Sequence, residues 1–309
     1  MPSRNGSNRE YNSSTVERIF IMKKILISIF FLTLIFLSYS FSDEQTDKEE
    51  IRKTLKFSGN GETRRILVDN INGSIKVVGY DGSDVELVAH KTIRAESSDK
   101  VLEAKEKVTL EITEESDRVL VYVDAPWRQK DGCVHNRGWD YYGYDVDYDF
   151  EFRVPSKTDV ILKTINNGDI FVKNIQGHFE VNNINGAIEM QDIAGSGTVS
   201  TINGGVTVSF TQNPSASSSF KTINGKVNVL FQKNLSANLT LKTMNGEVYT
   251  DFPVKDLPPS TPLLEKHGHK NILRSSDSFT VQVAGGGPEL SFNTLNGNIY
   301  ILTNEGESK

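Results

Sequence analysis

The chain has 309 residues, 37% hydrophobic and 24% charged, with a formal net charge of −6 at pH 7. Residues 1–42 carry five Lys/Arg and two acids, a net of +3, which leaves −9 for the remainder. An acidic body argues against a nucleic-acid partner, which selects for a basic face, and the lone Cys133 excludes an internal disulfide.

At the N-terminus, Lys23-Lys24 precedes an apolar run from Ile25 to Leu37, and Ser40 and Ser42 bracket Phe41 before Asp43. This is the layout of a cleavable secretory signal over 22–42, with 1–21 as a polar extension ahead of Met22. Uncleaved, the run is an anchor, and membrane contact is expected through this segment alone. Either way the mature chain is exported to the periplasm, the cell surface or the medium. Residues 43–60 are polar and charged and read as a linker, 61–303 as a β-strand-repeat domain and 304–309 as a tail.

Within the domain, Arg65–Asn70 and Ser74–Val78 read as strands around Asn72-Gly73, and Asp84–Lys91 as a third. Ser97–Lys107 has the spacing of a short helix, with Ser97 or Ser98 as N-cap. Val108–Thr113 and Arg118–Val123 alternate as strands. The stretch Asp124–Tyr144 then breaks every pattern with Trp127, Trp139, Tyr141, Tyr142 and Tyr144, alongside Cys133 and His135. These rings are candidate ligand-binding residues, suited to stacking on sugar or peptide surfaces; the competing reading is that they cap the open end of the fold. From Asp145 to Pro155 apolar and charged residues alternate as a strand with one buried face.

One phrase then keeps returning: Thr164-Ile165-Asn166-Asn167-Gly168, Asn183-Ile184-Asn185-Gly186, Thr201-Ile202-Asn203-Gly204, Thr222-Ile223-Asn224-Gly225 and Thr243-Met244-Asn245-Gly246. Outlying copies are Asn70–Gly73 and Thr294–Gly297, and Pro253–Arg274 is a Pro-rich excursion between them. A fixed period marks repeat units too small to bury their apolar faces alone. Each unit has apolar residues at offsets 0, +4 and +6 from its first Ile, as in Ile184, Ile188 and Met190, and a further Ile at +9, as in Ile193. Asn-Gly between β-branched runs suits an antiparallel hairpin meander, but a meander leaves the +9 position on the wrong face. A β-solenoid with bends at Asn-Gly and after +6 keeps all of them inside. The expected fold is therefore all-β, a β-solenoid or β-helix-like stack with one short helix near 97–107. It places Ile184, Ile202, Ile223 and Met244 inside, stacks Asn185, Asn203, Asn224 and Asn245 as a structural ladder, and sets Thr201, Thr222 and Thr243 in a row beside it.

The Asn70–Gly73 opening, Val154-Pro155 leading into Thr164–Gly168, and the closing Gly287-Pro288-Glu289 with Thr294–Gly297 together resemble the "putative adhesin" family of exported bacterial β-strand-repeat proteins, the toast-rack domain. The resemblance spans roughly Leu67 to Thr303 and implies an extracytoplasmic β-solenoid-like domain serving adhesion or envelope sensing. The insert at 124–144 and the excursion at 253–274 depart from its plain repeats.

Chemistry is sparse. Asp145, Asp147, Asp149 and Glu151 do not form an EF-hand, because Phe150 takes the Gly position and Ser156 the Glu position; they read as a solvated strand face. His267 and His269 lack further ligands nearby, and His90 and His178 sit in repeat context. No nucleophile, phosphate-loop or dinucleotide motif occurs, and no cofactor or metal is expected. The favoured reading is a non-catalytic binding domain for a glycan or another envelope component. A glycan-active β-helix enzyme and a structural envelope spacer are the alternatives.

Overall fold

A computed structural model describes residues 44–57, 59, 64–128, 141–256, 263–267, 270–274 and 278–304. The expected leader at 1–42, Cys133, His135, Trp139, His269 and the tail beyond 304 lie outside the described residues. Residues 44–309 form one unit.

The first strands are β1 (Gln45–Leu55), β2 (Arg65–Asp69), β3 (Ile75–Tyr80) and β4 (Val85–Ala95), followed by helix α1 (Ser98–Lys107). Next come β5 (Thr109–Glu114), β6 (Arg118–Asp124) and β7 (Tyr144–Pro155). Short strands follow: β8 (Asp159–Lys163), β9 (Ile170–Lys173), β10 (Phe179–Asn182), β11 (Ile188–Ile193), β12 (Gly197–Ser200), β13 (Val206–Phe210), β14 (Ser218–Lys221) and β15 (Val227–Phe231). The remainder is β16 (Ala237–Asn245), β17 (Val248–Thr250), β18 (Val254–Asp256), β19 (Leu263–His267), β20 (Lys270–Arg274), β21 (Phe279–Val283), β22 (Glu289–Asn296) and β23 (Ile299–Thr303).

These strands build two large mixed sheets, and α1 is the one α-helix among the described elements. The first sheet has the order β1-β4-β7-β3-β9-β11-β13-β15-β23-β17-β20-β19. The second runs β18-β21-β16-β22-β14-β12-β10-β8-β2-β6-β5. From β8 to β15 successive strands alternate between the sheets, and each of β8 to β13 pairs in parallel with the strand two places on. Asn203-Gly204 therefore joins strands of different sheets and is not the tip of a hairpin. Between the sheets lies an apolar core, with Phe210 stacked on Phe231 at 5.2 Å and Phe220 on Phe292 at 5.3 Å.

The expected linker at 43–60 is instead largely strand: β1 pairs antiparallel with β4 along all 11 of its residues. It escapes pattern reading because it lies at a sheet edge, where only Leu55 is buried and charges fill both faces. Such charges discourage further strands from adding to an exposed edge. Helix α1 begins where expected, with the Ser97 hydroxyl accepting from Lys100 N at 3.3 Å.

The repeat unit carries a second correction. Ile184, Ile202 and Met244 are exposed and Ile223 is half-buried, whereas Thr201 and Thr222 just before them are buried. The cause is strand parity. Val199 and Phe220 point inward, so the residue two places on also points inward and the next one out. A threonine tolerates that inner place because its hydroxyl finds a partner on the neighbouring repeat. Thr201 Oγ1 donates to Gly186 O at 2.9 Å, Thr222 Oγ1 to Gly204 O at 2.8 Å and Thr294 Oγ1 to Gly225 O at 3.0 Å. At the other bend, Asn174 and Asp192 adopt left-handed backbone (φ 57° each) and turn Ile175 and Ile193 inward.

In the phrases ending at Gly168, Gly186, Gly204, Gly225 and Gly246 the glycine serves close approach rather than positive φ, which the outlying copies adopt at Gly73 (φ 107°) and Gly297 (φ 157°). A Cβ on Gly204 would stand 2.2 Å from Gly186 O, and one on Gly225 would stand 2.1 Å from Gly204 O. The last repeat is also out of chain order. Strands β22 and β23 insert between β14/β15 and β16/β17, so the Thr294 phrase stands between those of Thr222 and Thr243.

Candidate binding surfaces

The ring-rich stretch is split by the fold. Trp127 follows β6 in a turn closed by Arg128 N donating to Ala125 O at 2.9 Å, and its indole is buried. Its ring centre lies 5.0 Å from that of Tyr142 and 6.0 Å from that of Tyr144, which is fully buried at the start of β7. Tyr141 is 65% exposed and packs edge-on against half-buried Tyr142 at 4.8 Å. As a contact surface the expected set is thus corrected: Trp127 and Tyr144 seal the core beside α1, and Tyr141 with the rim of Tyr142 faces solvent. Burial pushes the Tyr144 phenol up to about 12. Neither the Trp127 Nε1 nor the Tyr144 hydroxyl has a hydrogen-bond partner among the described residues.

Sequence reasoning missed Arg128. Its guanidinium clasps Asp69 in a two-pronged pair, Nη1 to Oδ2 at 2.9 Å and Nη2 to Oδ1 at 3.1 Å, pinning the turn to β2. No spacing links residues 69 and 128, so only the parallel pairing of β2 with β6 brings them together. Lys91 was equally illegible. Its Nζ is buried beneath α1, donates to Val108 O at 2.7 Å and stands 5.5 Å from the Tyr148 ring centre. Burial lowers its affinity for the proton.

The acidic strand face is engaged in structural bonds. Asp147 pairs with Arg94, and Asp149 accepts from Ser74 N at 2.8 Å and Ser74 Oγ at 2.6 Å. Glu151 lies 3.5 Å from Lys76 Nζ. Among the described residues no three His, Cys, Asp or Glu are grouped to hold a metal. His90 lies 3.8 Å from Glu50, His178 N donates to Asp159, and His267 pairs through its backbone with Lys270. A cleft of about 370 Å³ is lined by Arg64, Tyr80, Asp81, Gly82, Pro155, Ser156 and Lys157, with two cations, one carboxylate and two hydroxyls around it.

The asparagines form a continuous line. Asn185 Nδ2 donates to Asn166 Oδ1 at 2.8 Å, Asn203 to Asn185 at 2.8 Å and Asn224 to Asn203 at 2.8 Å. Asn245 does not meet Asn224. Asn296 stands between them, donating to Asn224 at 2.7 Å and accepting from Asn245 at 2.7 Å. Beside this line runs the outward row of Ile and Leu side chains that the repeat pattern had placed inside. Among the described residues no helix is long and apolar enough to cross a membrane.

No protein-family model matches the chain, and no curated protein matches it. Solved structures similar to it include two bacterial proteins. One, a "putative cell adhesion protein" from Clostridium sporogenes, is 12% identical, with a TM-score of 0.40 over 83% of this chain and 100% of that one. The other, a "putative adhesin" from Bacteroides fragilis, is 10% identical, with a TM-score of 0.37 over 82% of this chain and 98% of that one.

Proposed function

We propose that the chain is a non-catalytic, exported β-solenoid module of the adhesin type, binding a glycan or another component of a cell envelope. The observation that carries this reading is the repetition of surface groups. The same corner recurs from Asn166 to Asn245 with side-chain amides bonded at 2.7–2.8 Å, which offers an extended partner many equal contacts in a line. One strand of each sheet per repeat, all parallel from β8 to β15, supports the solenoid reading. The resemblance to the toast-rack family points the same way.

Retention tests the proposal. The full chain is passed over immobilised bacterial and host envelope material and over a glycan array, and it should be retained by at least one class. The same glycans are then assayed for new reducing ends. Release of reducing ends would assign the glycan-active enzyme, and failure of retention everywhere would leave the envelope spacer.

A further inference from the structure

One edge of the repeat carries an apolar row that core packing does not use. Ile165, Ile184, Ile202, Ile223, Leu295 and Met244 hold the same place in successive corners, kept in register by the asparagine line beside them. Ile184 is 36% exposed, Ile202 38%, Leu295 41% and Met244 73%. At an inter-strand spacing of about 4.8 Å the row is about 24 Å long.

The polar groups of this edge are already bonded to one another. Ile165 O accepts from Asn185 N at 2.9 Å, Ile184 O from Asn203 N at 2.8 Å, Ile202 O from Asn224 N at 2.8 Å and Ile223 O from Asn296 N at 2.8 Å. The asparagine amides bond along the line as well. The edge therefore leaves water with few backbone groups stranded, a condition any surface meeting hydrocarbon has to satisfy.

Charge supplies the second observation. Two residues before each corner side chain, with the same outward parity, stand Lys163, Asn182, Ser200, Lys221, Asn293 and Lys242. In register Lys221 lies between Ser200 and Asn293, and Lys242 lies beside Asn293. Lys163 lies between Asn182 and Asp69, whose carboxylate is held by Arg128. Three ammonium groups thus flank one side of the apolar row on a chain of net charge −6, and the other side, past the Asn-Gly, carries Asp169, Lys226 and Glu247. An apolar ridge bordered by cations is how peripheral elements lie on anionic bilayers. A soluble polyanion would engage the lysines and leave the apolar row in water.

We propose that this edge docks on the surface of an anionic lipid bilayer. The apolar row enters the boundary between headgroups and acyl chains, and Lys163, Lys221 and Lys242 sit at phosphate level. The inference rests on the reading of an exported binding module and names its partner. It is separate from any contact made by the apolar run at 25–37, which is the same in every variant below.

The full chain is mixed with phosphatidylcholine vesicles with and without phosphatidylglycerol. Wild type is compared with I184N/I202N/I223N and K163Q/K221Q/K242Q, all exposed or half-buried positions, with thermal melts to verify folding. The apolar triple should lower partition onto phosphatidylglycerol vesicles by about tenfold or more. Each lysine removed should cost about fivefold on those vesicles and nothing on neutral ones. Brominated phosphatidylglycerol should quench the indole of Met244→Trp and spare Gln191→Trp on the outer face of the other sheet. Equal quenching at both sites, or none at Met244→Trp, overturns the proposal. So does self-association without lipid that the apolar triple abolishes, which gives the edge to a second copy. Binding to soluble polyanions that the apolar triple leaves intact, without vesicle binding, gives it to a polyanion. Loss of vesicle binding with retention on envelope material intact removes this edge and leaves the adhesin reading standing.

Discussion

Two neighbouring glycines show how finely the corner is set. A Cβ on Gly204 would stand 2.2 Å from a backbone carbonyl of the next repeat, whereas one on Gly205 would meet nothing nearer than Lys226 O at 3.6 Å. Neither residue has positive φ, so conformational preference does not separate them. Gly204→Ala should therefore destabilise by about 1–3 kcal/mol through overpacking against backbone that cannot yield. Gly205→Ala should be neutral or stabilise by about 0.4–1 kcal/mol by restricting the unfolded chain. Urea unfolding of both variants is the check, and equal losses would refute close approach as the reason for the glycine. The buried threonine hydroxyls obey the same geometry, since each donates to the carbonyl that such a Cβ would strike.

Within a repeat, the face a side chain takes is decided by the strand that leads into it. Val208 on β13 is fully buried, and Ile202 a few residues earlier is 38% exposed although both are β-branched and apolar. Ile202→Asp should change stability by only about 0.5 kcal/mol. Val208→Asp places an unpaired charge between the sheets and should cost several kcal/mol, enough to abolish the cooperative transition of a marginally stable domain. Thermal melts of the two variants separate the cases, and unfolding by Ile202→Asp would restore the inward reading of the corner residue. The flanking edge strand β1 follows a different rule. Its alternation of charges keeps it soluble, and its order comes from backbone pairing with β4.

For the molecule as a whole, the insertion of β22 and β23 sets how the fold can form. These strands supply the pairing partners of β14, β15, β16 and β17, so the centre of both sheets closes only after the last residues arrive. The connection that leads into them passes close over β16. A Cβ on Gly287 would stand 2.5 Å from Ser236 O, and Ala284 is held at φ 52°. Contacts this distant in sequence make slow folding and expose sheet edges meanwhile. A chain ended at Pro288 should lose cooperative melting and self-associate. Size-exclusion chromatography with a thermal melt tests this, and a monomeric, sharply melting truncation would show that the inserted strands are dispensable.

The repeated Asn-Gly phrase and the alternation at +4 and +6 by themselves determined that the chain is β-rich, where most central strands lie, and where α1 begins, because local periodicity and capping act over a few residues. They also located the asparagines, whose spacing already implied neighbouring repeats. The tertiary structure alone decided the rest. Whether the corner Ile faces in or out depends on the direction of the preceding strand and on a carbonyl from another repeat that satisfies the inner threonine. Whether Trp127 and Tyr144 bind or seal depends on the packing of α1 and β7 around them. The order of the stack, with Asn296 between Asn224 and Asn245, is set by which sheet edges remain unpaired when the C-terminal strands fold in, and pairing between distant segments leaves no local trace in the chain.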